Sequence, residues 1–242
     1  MENKKNPLAE LGILTTGLMH EMKTPLQSML NNVLYLKQIN RKQKLTEEET
    51  EKVLNDIMES VDFMISLTEA SHFYISGIED KEKSVVLKKV IKTSMILTHH
   101  VWKRTAEIRT ELPEQNMVLT GSPNDFMEIM INLITNAAHA IENRRKKDHS
   151  LQGVIRIKAE RDKDRIRITV SDNGEGIPED IRNKIFNPFF TTKTVSEGSG
   201  QGLPIIKTII EQKYSGSITF QSMINKGTDF IISIPDRKNN NE

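Results

Sequence analysis

The sequence predicts an α+β protein in which a purely helical region precedes a region of mixed strands and helices. Up to about residue 76, apolar side chains recur at alternating three- and four-residue steps, which indicates amphipathic helices. From residue 85 onward, short segments with alternating apolar and polar residues, typical of strands, lie between helical segments. A charged stretch at 79–84 separates the two patterns. We therefore expect two domains, 1–78 and 85–236, with a linker at 79–84 and a polar tail at 237–242.

The first domain is predicted to contain two long helices joined by a polar turn. The first helix, over residues 8–39, carries an apolar stripe made of Leu8, Leu11, Leu18, Met22, Leu26, Met29, Val33, Leu36 and Ile39. The second begins after Thr46, which forms a capping box with Glu49, and fades near Gly77. One helical hairpin covers these stripes poorly, whereas two hairpins paired in a four-helix bundle cover them well. We therefore expect a homodimer.

The second domain is predicted to be an α/β sandwich, a mixed sheet covered by helices on one face. Its expected elements are a strand at 85–87, a helix at 88–103, a strand at 107–112, a helix at 122–143, strands at 153–159 and 165–171, a glycine-rich loop at 172–202, a helix at 203–212, and strands at 216–223 and 228–234.

Composition excludes several classes of protein. The 34 basic and 33 acidic residues are balanced, so nothing global indicates nucleic acid as a partner. The chain has no cysteine, which rules out disulfides and cysteine-ligated metals and fits a reducing compartment. No apolar run has the length of a membrane span, and the amino terminus lacks a signal peptide's apolar region. We expect a cytoplasmic location, with a membrane-anchored parent protein if the chain is a fragment.

One stretch of the first helix combines reactive side chains with a proline. His20, Glu21 and Thr24 precede Pro25, which removes a backbone donor inside the helix and predicts a kink beside the histidine. A zinc-protease helix requires a second histidine where Thr24 stands, so that function is excluded.

A polar stripe marks the helix after Pro123. Glu128, Asn132 and Asn136 recur every four residues and share one face. A solvated stripe is the ordinary explanation for such a pattern. The functional alternative is a carboxylate and two amides near Mg²⁺, which needs few protein ligands when phosphate oxygens supply the others.

A second segment follows a strand directly. Asp172 precedes Gly174, Gly176 and Ile177. The sequence is compatible with a simple turn. It also places a carboxylate beside backbone that a ligand can approach closely, where it could accept a hydrogen bond from an exocyclic amine such as that of adenine.

A third segment concentrates aromatic residues. Phe186, Phe189 and Phe190 lie within five positions of one another, and Lys193 follows them. Alone they indicate a small satellite core; beside a nucleotide they would anchor a lid, with Lys193 near phosphates.

The fourth segment is glycine-rich and opens a helix. Gly198, Gly200 and Gly202 alternate with other residues and include Gln201, and Leu203 follows them. Glycines before a helix offer free backbone N–H groups to phosphate. The sequence contains no P-loop pattern, which excludes that class of nucleotide-binding enzyme.

These four segments, in this order, resemble the N, G1, F and G2 boxes of the ATP-binding domain shared by sensor histidine kinases, gyrase-type ATPases and heat-shock chaperones. The helical hairpin resembles the dimerisation and phosphotransfer domain of histidine kinases, with His20 at the phosphoacceptor position. The resemblance implies ATP and Mg²⁺ as cofactors, Asn136 as a metal ligand and Glu128 as a second candidate. The nucleotide-binding residues that it implies are Asn132, Asn136, Asp172, Gly174, Gly176, Ile177, Phe189, Phe190, Lys193, Gly198, Gly200, Gln201, Gly202 and Leu203. Gln201 and Pro204 depart from the family pattern, and we expect altered lid behaviour at most.

The resemblance also implies a catalytic set in the first domain. His20 accepts the γ-phosphoryl group, Glu21 acts as general base, and Thr24 positions water for dephosphorylating a partner. The implied partner is the receiver domain of a response regulator, whose aspartate takes the phosphoryl group.

Three functions remain open at this point. The first is an ATP-dependent protein histidine kinase. The second is a degenerate scaffold that dimerises and docks a partner without transferring phosphate. The third is a phosphatase acting through Thr24. Surface or packing roles are favoured for the other histidines, which are His72, His99, His100, His139 and His149.

Overall fold

The computed structural model describes residues 7–39, 45–76, 83–192 and 200–236. It divides between Phe73 and Tyr74 into two compact units. The first unit contains two long helices, and the second contains the sheets and all shorter helices. The helices are α1 (Pro7–Ile39), α2 (Glu47–Ser76), α3 (Leu87–Leu97), α4 (His99–Trp102), α5 (Pro123–Lys147) and α6 (Gly202–Thr208). The strands are β1 (Lys83–Val86), β2 (Ala106–Glu111), β3 (Val118–Gly121), β4 (Gly153–Asp162), β5 (Arg165–Asp172), β6 (Ser217–Met223) and β7 (Gly227–Pro235).

The start of α2 is fixed by the predicted capping box. The Thr46 backbone N–H donates to Glu49 Oε2 at 3.0 Å, and the Glu49 N–H donates to Thr46 Oγ1 at 3.2 Å. These bonds satisfy two backbone donors at the helix end. The Thr46 backbone N–H and the Thr46 hydroxyl, which donates to Glu49 Oε2 at 3.0 Å, lower the pKa of Glu49 because they favour its charged form.

The helices of the first unit expose a large apolar surface. Pro25 lies inside α1, which continues on both sides of it. On α2, Leu67 and Ala70 are buried. The apolar residues that remain substantially exposed in the single chain include Leu26, Leu30, Val33, Leu34, Leu54, Met58, Val61 and Ile65.

The second unit is built around a five-stranded mixed sheet with the strand order β2-β4-β5-β7-β6. The β2 and β4 strands are parallel, and every other neighbouring pair is antiparallel. Alternate residues of the central strands face the core, as their period-two pattern requires: Ile155, Ile157, Ala159, Ile166, Ile168, Val170, Phe230, Ile232 and Ile234. Helix α5 packs against β4, β5 and β7, and α3 and α6 pack against α5. The expected mixed sheet with helices packed on it is therefore present.

Three elements differ from the sequence-based expectation. The helix expected at 88–103 breaks at Thr98, whose Oγ1 donates to the Ser94 carbonyl oxygen at 2.6 Å and competes with regular helix geometry. Strand β3 was not expected; it pairs with β1 in a separate two-stranded sheet. The helix expected at 203–212 is α-helical only to Thr208 and continues as a π-helical turn, Ile209–Lys213.

Candidate nucleotide site

A cavity of about 790 Å³ opens in the second unit. This volume lies within the range of small-molecule sites. Its walls come from α5, from the loop after β5, from the start of α6 and from the β6–β7 turn. The residues that line it are Asn132, Thr135, Asn136, His139, Ala140, Asn143, Lys147, Asp172, Glu175, Gly176, Ile177, Pro178, Ile181, Ile185, Phe190, Thr191, Thr192, Gly200, Gly202, Leu203, Pro204, Ile224, Asn225, Thr228 and Phe230.

Asp172 provides the carboxylate of this cavity. It ends β5 and pairs with Thr228 of β7, so the sheet register fixes its backbone. The Gly174 N–H donates to Asp172 Oδ1 at 2.7 Å. Burial raises the pKa of Asp172 to about 7, and the charges of Asp229 and Glu175 add to the rise, while N–H groups of Gly174 and Thr228 oppose it. A carboxyl group whose charged form is disfavoured by burial therefore faces the cavity.

Asn132 and Asn136 place amide groups on the α5 wall. Asn132 Nδ2 donates to the Glu128 carbonyl oxygen at 2.9 Å, which leaves Oδ1 directed away from that helical turn. A Cβ atom at Gly202 would lie 2.5 Å from this Oδ1, so the Asn132 amide would have to shift if another residue stood there. The Asn132 amide oxygen therefore lies beside the start of α6, and Asn136 lines the same cavity.

Gly176 shows why this loop contains glycine. Its φ of +76° lies in the left-handed region, and a Cβ atom there would overlap the Met223 carbonyl oxygen. Gly174 is buried against Ala140 of α5 and does not line the cavity. Close packing of the protein on itself accounts for both glycines, in addition to the ligand approach inferred from the sequence.

The phenylalanine segment contributes unequally to the site. Phe190 lines the cavity, whereas Phe189 has a φ of +64° and is 72% exposed. Gly200 packs against the Phe189 backbone, where a Cβ atom would meet its carbonyl carbon at 2.5 Å. The predicted site residues Lys193 and Gly198 lie outside the described residues.

The predicted catalytic residues of the first unit lie on α1. The side chain of His20 falls outside the part of the chain that the structure describes. Glu21 is only 2% exposed, and Thr24 is exposed. Because positions four apart share a helix face, Thr24 lies on the same side of α1 as position 20.

Comparisons with known proteins agree with this architecture. Residues 121–238 match the family described as histidine kinase-, DNA gyrase B- and HSP90-like ATPase. The chain is 29% identical over 237 residues to the sensor histidine kinase ZraS of Salmonella typhimurium, covering 96% of this chain and 47% of the relative. Residues 121–238 thus match the ATPase domain of that family, and almost the whole chain is similar to sensor histidine kinases.

Other histidine kinases are similar over the same extent. Sporulation kinase A of Bacillus subtilis is 30% identical, with 97% of this chain and 36% of that relative covered. This chain thus spans about half the length of these relatives or less. The solved catalytic domain of histidine kinase ThkA is 29% identical, covers 65% of this chain and 97% of its own, and has a TM-score of 0.55. Full-length ShkA, solved with AMPPNP, is 23% identical over 93% of this chain and 45% of its own, and its TM-score of 0.54 shows a shared fold.

The protein groups at this cavity fit Mg²⁺ only if a bound ligand supplies further oxygen atoms to the ion. Within residues 7–39, 45–76, 83–192 and 200–236, no group of three or more His, Asp or Glu side chains could hold a metal ion. The amide oxygens that α5 contributes to the cavity lining are those of Asn132, Asn136 and Asn143. Such a sparse set suits an ion that takes most of its ligands from phosphate and water. Glu128 precedes Asn132 by one turn and does not line the cavity.

Several residues that line the cavity were not predicted from the sequence as site residues. His139, for which a surface or packing role was favoured, lines the cavity, as do Asn143 and Lys147. The polar stripe of α5 therefore runs further than Asn136, and steps of three and four residues along the same face could have revealed it. Asn225, in the β6–β7 turn, and Thr228, near the start of β7, had no local signal.

No helix within the described residues is long and apolar enough to cross a membrane.

Proposed function

We propose that this chain is the catalytic core of an ATP-dependent protein histidine kinase that phosphorylates itself on His20. The observation that carries the proposal is the Asp172 carboxyl group, fixed at the end of β5 on the wall of a nucleotide-sized cavity. This carboxyl group would accept a hydrogen bond from the exocyclic amine of adenine. Asn132 and Asn136 stand on the α5 wall, near the start of α6, where phosphates would lie. The analogue bound to ShkA supports an adenine nucleotide as the ligand.

Each part of the cavity has a role in this proposal. Gly176 and Ile177 border the base, and Phe190 closes the lid side. Gly200, Gly202 and Leu203 border the triphosphate, together with Gly198, Lys193 and Gln201 on the lid. Asn136 holds Mg²⁺, with Glu128 as a second candidate ligand. The ion would neutralise phosphate oxygens as charge moves to the leaving group.

The phosphoryl transfer proceeds by in-line attack. A nitrogen of the neutral His20 ring forms a bond to the γ-phosphorus, and the bond from phosphorus to the β–γ bridging oxygen breaks with its electron pair on ADP. An imidazole with an ordinary pKa of about 6.5 is available in this neutral form near pH 7. The second ring nitrogen then loses its proton, and Glu21 accepts it.

The phosphoryl group passes next to an aspartate on the receiver domain of a response regulator. In the reverse sense, Thr24 positions water for hydrolysis of the phosphorylated receiver. Two copies of α1 and α2 pair through the exposed apolar residues of these helices, so the active form is a homodimer. We place the reaction in the cytoplasm, where ATP and receiver proteins are present.

The test is incubation of the chain with γ-labelled Mg-ATP and a panel of receiver domains. We expect His20→Gln to abolish labelling while nucleotide binding stays unchanged, because the substitution removes only the acceptor. We expect Thr24→Ala to label normally and to slow the loss of phosphate from the receiver.

Two outcomes contradict the proposal. Labelling that survives His20→Gln moves the acceptor elsewhere. A parent chain that binds no Mg-ATP favours the scaffold function instead. An unchanged rate of phosphate loss in Thr24→Ala removes that residue from hydrolysis and leaves the kinase assignment intact.

A further inference from the structure

The base end of the cavity contains a hydrogen-bond node that the reaction above does not use. Glu175 follows Gly174 in the loop after β5, and its polar groups bond to two other elements, α5 and the β6–β7 turn. Its N–H donates to the Ala140 carbonyl oxygen at 3.1 Å, and its own carbonyl oxygen accepts from the Asn225 N–H at 2.8 Å. Its Oε1 accepts from Asn143 Nδ2 at 2.8 Å. One residue therefore joins α5, the loop and the β6–β7 turn.

The three elements joined at Glu175 are walls of the cavity. Asn143, Glu175 and Asn225 all line it, as does Asp172, three residues earlier in the chain than Glu175. The Gly174 N–H that donates to Asp172 Oδ1 belongs to the residue immediately before Glu175. Any movement of Glu175 along α5 thus shifts the donor that orients the Asp172 carboxylate.

Of the three bonds described for Glu175, the one from Asn143 Nδ2 to Glu175 Oε1 joins two side chains. It is partly buried, so little water competes for it. Lys147 Nζ lies 3.9 Å from Glu175 Oε2, and its side chain is 75% exposed. An ion pair that is so exposed contributes little. The amide of Asn143 is therefore the main restraint on the Glu175 side chain.

We propose that Asn143 and Glu175 are positioning residues that together form a clamp. The clamp holds the loop after β5 against α5 and thereby sets the cavity's preference for adenine over guanine. The preference follows from the orientation of Asp172. Its carboxylate accepts from an amine at the six-position of adenine, whereas guanine presents an oxygen there. Loosening the loop lets the carboxylate turn away from the base, so adenine loses its hydrogen bond and guanine loses nothing. The inference rests on the proposed nucleotide-binding function.

The test measures binding of ADP and GDP to the full chain by calorimetry, together with the thermal unfolding midpoint of every variant. Asn143→Ala removes the donor, and we expect ADP to bind about fivefold more weakly, as for the loss of one hydrogen bond, with GDP binding unchanged.

A donor–acceptor exchange separates the clamp from general stability. Asn143→Asp alone places two carboxylates in contact and should weaken ADP binding more than Asn143→Ala does. Adding Glu175→Gln to Asn143→Asp restores a hydrogen bond of opposite direction, because the glutamine amide donates. We expect the double variant to regain most of the adenine preference. The matched control is Glu179→Gln, a loop carboxylate whose side chain is 88% exposed and does not line the cavity.

The outcomes are distinguishable. If the parent binds ADP and the Asn143 variants keep its adenine preference, the clamp is refuted and nucleotide binding stands. A fall in ADP and GDP affinity by the same factor, or a double variant no better than Asn143→Asp, also refutes it. If the parent binds neither nucleotide, the proposed function fails, and the clamp fails with it.

Discussion

At Asp172, folding stability favours the protonated carboxyl group, whereas the proposed binding of adenine uses the carboxylate as a hydrogen-bond acceptor. In an unfolded chain its pKa would be near 3.8, and in the folded protein burial raises the pKa to about 7. The folded state therefore holds the proton more tightly than the unfolded state. This contribution to stability is fully present below pH 4 and is lost as the pH rises through 7.

Asp172→Asn should remove this dependence. Because the amide never ionises, we expect the free energy of unfolding above pH 7 to rise, at most by on the order of a few kcal/mol, with little change near pH 4. ADP binding should weaken at least tenfold, since a hydrogen-bond acceptor for the base is lost. Urea unfolding at both pH values and calorimetry check the two effects. A variant that is no more stable at pH 8 contradicts the buried, proton-holding role of Asp172.

At the same scale, the sequence predicted Asp172, Asn132 and Asn136 because each lies in a segment with its own local pattern. It missed Asn225 and Thr228, since the strand register that brings them to Asp172 is a property of the sheet. His139 was misjudged for a different reason. It was considered for metal spacing only, although it lies one turn beyond Asn136 on the same helix.

Among the elements, the π-helical turn after α6 is tied to the start of α5 through Tyr214. The Tyr214 hydroxyl donates to Asp125 Oδ2 at 2.5 Å and accepts from the Ser122 N–H at 3.0 Å. The ring packs on Phe126 with centroids 4.7 Å apart, and Lys213 forms an ion pair with Asp125. The far end of α6, whose start lines the cavity, is therefore anchored to α5, which carries Asn132 and Asn136.

Tyr214→Phe should destabilise the second unit by about 1–3 kcal/mol, because it leaves the buried Ser122 N–H and the Asp125 carboxylate without this partner. Urea denaturation measures the effect, and Tyr35→Phe, at a tyrosine that is 45% exposed, is the control. A change no larger than the control would show that the hydroxyl is not needed.

Elements with a long, regular pattern were predictable and short ones were not. Apolar and polar residues alternate strictly over many positions in the hairpin of β4 and β5. The capping box at Thr46 indicates the start of α2. Strand β3 has only four residues, too few for a period to show. The π-helical turn has no pattern of its own; it is closed by the Gly216 N–H donating to the Ile210 carbonyl oxygen at 2.8 Å.

For the whole molecule, the exposed apolar residues of α1 and α2 predict self-association. Leu30 and Val33 are 51% and 50% exposed in the single chain. Burying such side chains in a bundle would contribute roughly 1.5–3 kcal/mol for each when burial is complete. The double variant Leu30→Glu/Val33→Glu should therefore be monomeric and still bind ADP in its second unit.

Light scattering of the parent and the variant checks this expectation. Gln27→Glu, which adds charge at an exposed polar position of the same helix, should leave the mass at that of a dimer. A parent chain with the mass of a monomer contradicts the four-helix bundle. The sequence favours the dimer through its two stripes, but a single chain cannot contain the partner that covers them.

The strand order has a consequence for how the cavity opens. Asp172 ends the central strand of the sheet, which is hydrogen-bonded to a neighbour along each edge. Gly202 and Leu203 belong to a seven-residue helix outside that ladder. Local opening at Asp172 requires breaking strand pairing on both sides of β5, whereas Gly202 and Leu203 can separate from the rest of the cavity wall with few hydrogen bonds lost. The two ends of the cavity thus differ in local stability. In the proposed function, a bound nucleotide would therefore be released first at its phosphate end, while the base is still held at Asp172.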